Sequence, residues 1–199
     1  MTATPKLKTR VRREQIVEAA LESIAEHGVE GLSMAEVAER VGLVPSALYR
    51  HFAGKEEIFE ACLGHLRQRL MGNLILAADE NEGPIEQLRS VLMRHIDLVL
   101  ANPAAPRIIF SSQGIDGPPA RRALMQAMIN GYLAGIEGIV AEGKSRGEIR
   151  ADVEPDVAAM MVFGIFQPAA FRWHVSDGKY DMKRQAERAW KHFERMMRA

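Results

Sequence analysis

The chain has 199 residues, 26 Lys+Arg balanced by 26 Asp+Glu, 47% apolar content and a single cysteine. The charge balance excludes an acidic or basic disordered tail protein, the lone cysteine excludes an internal disulfide framework, and no Cys/His spacing suits a structural zinc site, so no metal or other cofactor is expected. The length fits one to two domains. With aromatics at only 6%, aliphatics and 11 methionines must fill the core.

The N-terminus is basic but leads into no apolar stretch, unlike a secretory leader. The apolar run at 160–166 falls far short of the about 20 residues needed to span a bilayer. A soluble, cytoplasmic protein without membrane contact is expected. Lys6, Lys8, Arg10, Arg12 and Arg13 place five positive charges in the first thirteen residues, which leaves residues 14–199 at a net −5. Contact with a polyanion would therefore be local, made by this arm and one small surface. A solvated, disordered terminus is the alternative.

Helical periodicity runs through almost the whole chain, and alternating strand patterns are missing, so the fold class is all-α. The first helix is predicted over 12–27, with Ile16, Ala20 and Ile24 on one stripe, Val17 and Leu21 beside it, and Gly28 as its stop. Ser33 and Glu36 have the Ser-x-x-Glu spacing of a capping box that opens a second helix over 34–41. Gly42 supplies a tight turn, Leu43 an apolar plug, and Pro45 the first position of a third helix that ends by Phe52. The break at 53–54 leads into a long fourth helix to about 73, on which Ile58, Phe59, Cys62, Leu63, Leu66 and Leu70 share a face. Cys62 reads as packing, with a reactive thiol as the sharper alternative. Further helices are predicted over 84–101, 104–112, 119–145, 155–174 and 181–197, about nine in all, with boundaries good to a few residues. No internal repeat is present.

Residues 33–52, SMAEVAERVGLVPSALYRHF, form a helix-turn-helix pattern: Ala38 and Val41 face inward on one helix, Leu48 and Phe52 on the next, with Gly42 between. Outward from Leu48 are expected Val44, Ser46, Ala47, Tyr49, Arg50 and His51. Small residues at the helix start permit close approach to a major groove about 12 Å wide, and the larger ones reach phosphates or base edges. An αα corner in a helical bundle would show the same short pattern.

The stretch EHGVEGLSMAEVAERVG, followed by Leu48-Tyr49, Phe52 and Lys55 and preceded by a basic arm, resembles the TetR/AcrR family of bacterial transcriptional regulators over residues 12–63. The later helices agree with that family only in number, length and total size. The resemblance implies an N-terminal three-helix helix-turn-helix domain at 1–54 and a helical effector-binding and dimerisation domain at 55–199. It further implies a homodimer that places two recognition helices in double-stranded DNA at a pseudo-palindromic operator, about 34–36 Å apart for half-sites one turn apart. By that analogy Tyr49 and His51 contact the backbone, Lys55 binds phosphate, Arg50 faces bases, and Ser33 offers its hydroxyl to another phosphate. Val44 stands where the family often has a Ser cap, and Ala47 where a Thr is common. Weight therefore shifts toward Arg10, Arg12 and Arg13, and Pro45 and Ser46 complete the candidate DNA-contacting set.

The family commonly binds a small molecule within its C-terminal helices. The candidate lining is Leu66, Leu70, Met93, Ile96, Phe110, Met125, Met128, Tyr132, Phe163 and Phe166, with Gln113, Asn130 and Gln167 as polar markers. Such a set would suit a hydrophobic or amphipathic effector; Met and aromatics at helical spacing also make ordinary core. Pro168 removes a hydrogen bond to the Gly164 carbonyl, so a kink is expected there. His95, His174 and His192 lie at no metal-binding spacing and read as surface or core residues.

The last two helices carry apolar stripes: Ala159, Val162, Phe163, Phe166 and Ala170, then Ala186, Ala189, Trp190, Phe193 and Met197. In the family these would pair with their twins as a four-helix bundle; the alternative is burial within the monomer. The functional expectation is a ligand-responsive, sequence-specific DNA-binding regulator acting as a repressor. One alternative is a DNA-binding protein without an effector, chromosome-organising or controlled by a protein partner. The other is a small all-α enzyme, against which Ser111, Ser112, His95 and Asp97 show no catalytic spacing.

Overall fold

The computed structural model describes residues 5–79 and 83–198, and among these it contains ten helices and no strand. They are α1 (Pro5–Gly31), α2 (Met34–Arg40), α3 (Pro45–Leu48), α4 (Lys55–Asp79), α5 (Pro84–Ala101), α6 (Ala104–Ile109), α7 (Ser112–Ile115), α8 (Pro119–Ser145), α9 (Pro155–Val175) and α10 (Met182–Met197). The helix expected over 104–112 is two: the chain turns at Ser111, whose hydroxyl accepts from the Gly114 N–H at 2.9 Å and caps the short α7. The fold forms two compact units, residues 1–67 with 102–122, and 68–101 with 123–199. α4 and α8 each run on from the first unit into the second.

In the first unit, α1 begins at Pro5 rather than near 12, so Arg10, Arg12 and Arg13 sit on a helix. The side chains of Lys6 and Lys8 lie outside the described residues. Gly28, at φ 75°, interrupts α1 where the stop was expected, and a further turn carries the helix to Gly31. Ile16, Ala20, Ile24, Val37, Leu48, Phe52, Ile58 and Phe59 form the core of this unit, and α6 packs on α1. α2 ends in a Schellman motif: Leu43 N–H reaches the Ala38 carbonyl at 2.8 Å and Gly42 N–H the Glu39 carbonyl at 3.0 Å, with Gly42 at φ 66°. That left-handed residue turns the chain sharply into α3. α3 is shorter than expected, and residues 49–51 continue as a turn closed by Phe52 N–H on the Leu48 carbonyl.

The capping box at Ser33 does not form. The Ser33 side chain makes no cap bond, because Glu36 is engaged elsewhere: its oxygens accept from Ser23 Oγ at 3.1 Å and from Arg40 Nε at 3.0 Å. Arg40 also reaches Glu26 on α1 at 2.5 Å, so the pair fastens α2 to α1 instead of capping it.

In the second unit, α5, α9 and α10 pack on one another around Leu88, Leu92, Ile96, Ala159, Val162, Phe166, Ala186, Trp190 and Phe193. α9 runs through Pro168 to Val175, in line with the helix expected over 155–174. Pro168 lies on the exposed side of the helix.

Candidate DNA-binding and effector surfaces

The corner that follows Gly42 exposes Val44, Pro45, Ser46, Tyr49 and Arg50, with Val44 at 64% and Tyr49 at 54% exposure. Ala47, expected outward, is buried at 5% exposure. The physical reason is the shortness of α3: on a single turn packed against α2, Ala47 and Leu48 are both buried and too few residues remain to set an outward face at 47. His51 is half-buried, Lys55 is exposed in the first turn of α4, and Ser33 is half-buried at the start of α2. The exposed set is a small apolar and hydroxyl-bearing step followed by an aromatic and a cation, which suits close approach to a groove with phosphate and base contacts at its edge.

The three arm arginines part company. Arg10 is exposed and lies 3.6 Å from Glu14 one turn on. Arg12 donates to the Val41 carbonyl at 3.3 Å. Arg13 stays half-exposed but is committed to the protein: Nη1 donates to the His51 carbonyl, Nη2 pairs with Glu57 at 3.0 Å, and the guanidinium lies over the Phe52 ring at 3.9 Å. Glu57 in turn accepts the Ala53 N–H at 2.7 Å. That N–H first, and then Arg13, hold its carboxyl below the usual carboxylate range. Arg13 thus ties α1 to both sides of the turn between α3 and α4. Local sequence gave no sign of this, since its partners lie 38 and 44 residues away.

Glu26, His27 and Glu36 bring three possible ligand atoms within 4.8 Å of one another. Both carboxylates are paired with Arg40, so a cation there would have to displace a guanidinium; the group is an ion-pair network joining α1 and α2.

The proposed effector lining divides between the units. Leu66, Phe110 and Gln113 belong to the first, and the Gln113 amide donates to Glu30 at 3.0 Å. Leu70, Met93, Ile96, Met125, Met128, Asn130, Tyr132, Phe163, Phe166 and Gln167 belong to the second. Ile96 and Tyr132 are fully buried, whereas Met93, Phe163 and Gln167 are half-buried. His95, read from sequence as a surface or core residue, is buried against two of this group, Tyr132 and Phe166. Its Nδ1 is 2.9 Å from the Tyr132 hydroxyl and its ring stacks on Phe166 at 3.5 Å between centroids. Burial pushes the imidazole down to about 3, keeping it neutral, and pushes the Tyr132 phenol up. Elsewhere in the second unit an open groove of about 550 Å³ is lined by Leu74, Ile75, Gln87, Gly135, Glu142 and Arg146 among others.

The apolar stripes expected to meet a partner are mostly buried within the chain instead: Ala159, Val162, Phe166, Ala170, Ala186, Trp190, Phe193 and Met197 are inside, and Phe163 and Ala189 are half-buried. The opposite face of α9 is the exposed one. Val157, Met160, Met161, Phe171 and Val175 stand out to solvent along its length, with Gly164 and Pro168 between them. Val157, Met160, Gly164, Pro168, Phe171 and Val175 recur at three- and four-residue spacing, with Met161 beside them, and make one stripe. A contiguous exposed apolar stripe of this kind marks an interaction face. Sequence reading missed it because α9 is apolar on both sides.

An all-helical chain with a glycine-turned helix-turn-helix corner, an exposed Tyr-Arg pair and a second helical unit defines a DNA-binding regulator of bacterial type. The family profile described as "Bacterial regulatory proteins, tetR family" matches residues 16–62, and "YsiA-like protein, C-terminal region" matches 68–194. The chain belongs to the TetR family. It is similar to the fatty acid metabolism regulator protein of Bacillus subtilis, 28% identical over 87% of this chain and 89% of that one. It is also similar to the nucleoid occlusion factor SlmA of Vibrio vulnificus, 26% identical over 90% and 92%. Among solved structures, FadR from Bacillus subtilis in complex with stearoyl-CoA superposes with a TM-score of 0.73 at 24% identity, over 92% of this chain and 98% of that one. No helix among the described residues is long and apolar enough to cross a membrane.

Proposed function

We propose that the chain is an effector-responsive transcriptional repressor that works in the cytoplasm, binds a pseudo-palindromic operator as a homodimer, and is released by a small hydrophobic or amphipathic molecule. The exposed Tyr49-Arg50 pair at the helix-turn-helix corner carries the reading. Arg50 faces bases, Tyr49, Ser46 and Lys55 meet the backbone, and Arg10 adds phosphate contact from α1. DNA binding is assigned to residues 1–54, effector binding and dimerisation to 55–199. The dimer forms through α9 and α10, with the Met160-Phe171 stripe of α9 as the apolar contact. A long-chain acyl-CoA is the first effector to try, supported by the likeness to a regulator of fatty acid metabolism and to a structure holding stearoyl-CoA. The ligand must favour the arrangement that does not bind DNA, and its effect equals its differential affinity for the two states.

The test is selection of bound fragments from bacterial genomic DNA at near-physiological salt, followed by titration of the enriched site with stearoyl-CoA. One enriched palindrome that is released by stearoyl-CoA supports the reading, and absence of enrichment from a folded dimer overturns it. The likeness to a nucleoid occlusion factor favours a second reading, a DNA-binding protein controlled by a protein partner. Many dispersed sites with no response to stearoyl-CoA would select it.

A further inference from the structure

Arg121, in the first turn of α8, is buried at 2% exposure. Its Nη2 pairs with Glu56 in the first turn of α4, Nη1 donates to the Gln113 carbonyl at 3.2 Å, and its guanidinium lies over the Phe59 ring at 4.3 Å. Nε is buried with no hydrogen-bond partner. A packed aliphatic side chain would hold the same elements together without desolvating a charge and leaving a donor unsatisfied. Packing alone therefore does not account for an arginine here.

What the charge does is grip the start of α4. Glu56 sits between Lys55, the assigned phosphate contact, and Glu57, which holds Arg13 and through it the His51 carbonyl at the end of the DNA-contacting corner. The first turn of α4 is thus held from α8 on one side and from α1 on the other, all within the first unit. α4 and α8 are also the helices that continue into the second unit.

We propose that the Arg121–Glu56 pair is the joint that passes the state of the second unit to the DNA-contacting corner, with Arg121 a positioning residue for Lys55 and, through Glu57 and Arg13, for residues 49–51. The inference rests on the reading of the first unit as DNA-binding and the second as effector-binding. The joint is closed in the operator-bound state, and an effector that shifts α8 against α4 opens it.

The experiment is operator binding by fluorescence anisotropy with full-length Arg121→Met, Glu56→Gln and the double variant, from 50 to 200 mM salt, with and without stearoyl-CoA. Each single variant should raise the operator Kd about tenfold, and the double should be no weaker than either single. The slope of log Kd against log salt should fall by about one, because the Lys55 phosphate contact is lost. In the variants the ratio of Kd with and without stearoyl-CoA should shrink toward one. Wild-type affinity in the singles, additive losses in the double, or weaker binding at an unchanged salt slope would each overturn the proposal, the last by showing only a smaller folded fraction. If Arg121→Met folds poorly, Glu56→Gln carries the same prediction, since Glu56 is 70% exposed. Should wild-type protein ignore stearoyl-CoA, that effector class falls, while the operator cycle still decides the joint.

Discussion

The two units use the same residue types for opposite ends. In the first, arginine is both fastener and reader: Arg12, Arg13, Arg40 and Arg121 donate into the protein, while Arg10 and Arg50 face solvent. In the second, apolar side chains are both core and contact face, with Phe166 buried and Phe171 exposed five residues later on α9. Charge alone does not identify a DNA contact in the one, and hydrophobicity alone does not identify the core in the other. Only the partner of each side chain separates the roles.

The contrast can be broken most forcefully on α9. Met160→Asp with Phe171→Asp places charges on the exposed stripe without touching the buried one, and is expected to give a monomer by light scattering. Operator affinity should then fall more than 100-fold, on the order of 3 kcal/mol or above, as half of the contacts are lost. A dimer that persists would return the stripe to ordinary surface. Next in size is Arg50→Ala, expected to weaken operator binding by about 10- to 100-fold, or 1–3 kcal/mol, with an unchanged melting temperature. Its foil is Arg13→Ala, which removes a half-exposed ion pair and a stacked ring. Melting of the first unit should fall by about 1 kcal/mol equivalent, and operator binding should weaken only as far as the turn loosens.

Acid sharpens the same contrast from the second unit. Unfolded His95 takes a proton near 6.5, whereas the folded residue is held down to about 3. The unfolded chain therefore binds more protons between those values, and this contribution to stability is full above 6.5 and declines as pH falls toward 3. His95→Phe should flatten that decline in urea melts, at the cost of an unpaired Tyr132 hydroxyl at neutral pH. An unaltered pH slope would deny His95 its part. Smallest is Arg10→Ala, expected to reduce the salt slope of operator binding by about one and leave folding untouched.

The corner was legible in the sequence because each of its rules is local. Gly42 supplies the left-handed turn, Pro45 starts α3, and Ala38 and Leu48 face inward one helical period from their neighbours. Ala47 escaped that reading because a single-turn helix has too few residues to define a face. The long helices were legible by periodicity, and α10 with its one apolar stripe was read correctly as to which residues share a face. The buried stripe of α9 was legible too, through Ala159, Val162, Phe166 and Ala170; its opposite, exposed stripe was not, because a helix apolar all round offers no polar side to mark solvent. The arginines that donate into the protein were hidden for a different reason. Arg13 and Arg121 meet partners 44 and 65 positions away, beyond any local pattern. Glu36 and Arg40, by contrast, stand one helical turn apart and were open to recognition as an ion pair rather than half of a cap.

Cys62 lies fully buried on α4, with burial pushing its thiol up to about 12. At neutral pH it holds almost no thiolate, the form that attacks maleimides and iodoacetamides. The protein therefore arrives with its native thiol already silent. A cysteine introduced at the exposed Ala53, beside the DNA-contacting corner, would take a fluorophore or spin label selectively without any prior cysteine removal. The movement of the corner on operator and effector binding can then be followed spectroscopically in an otherwise unaltered chain.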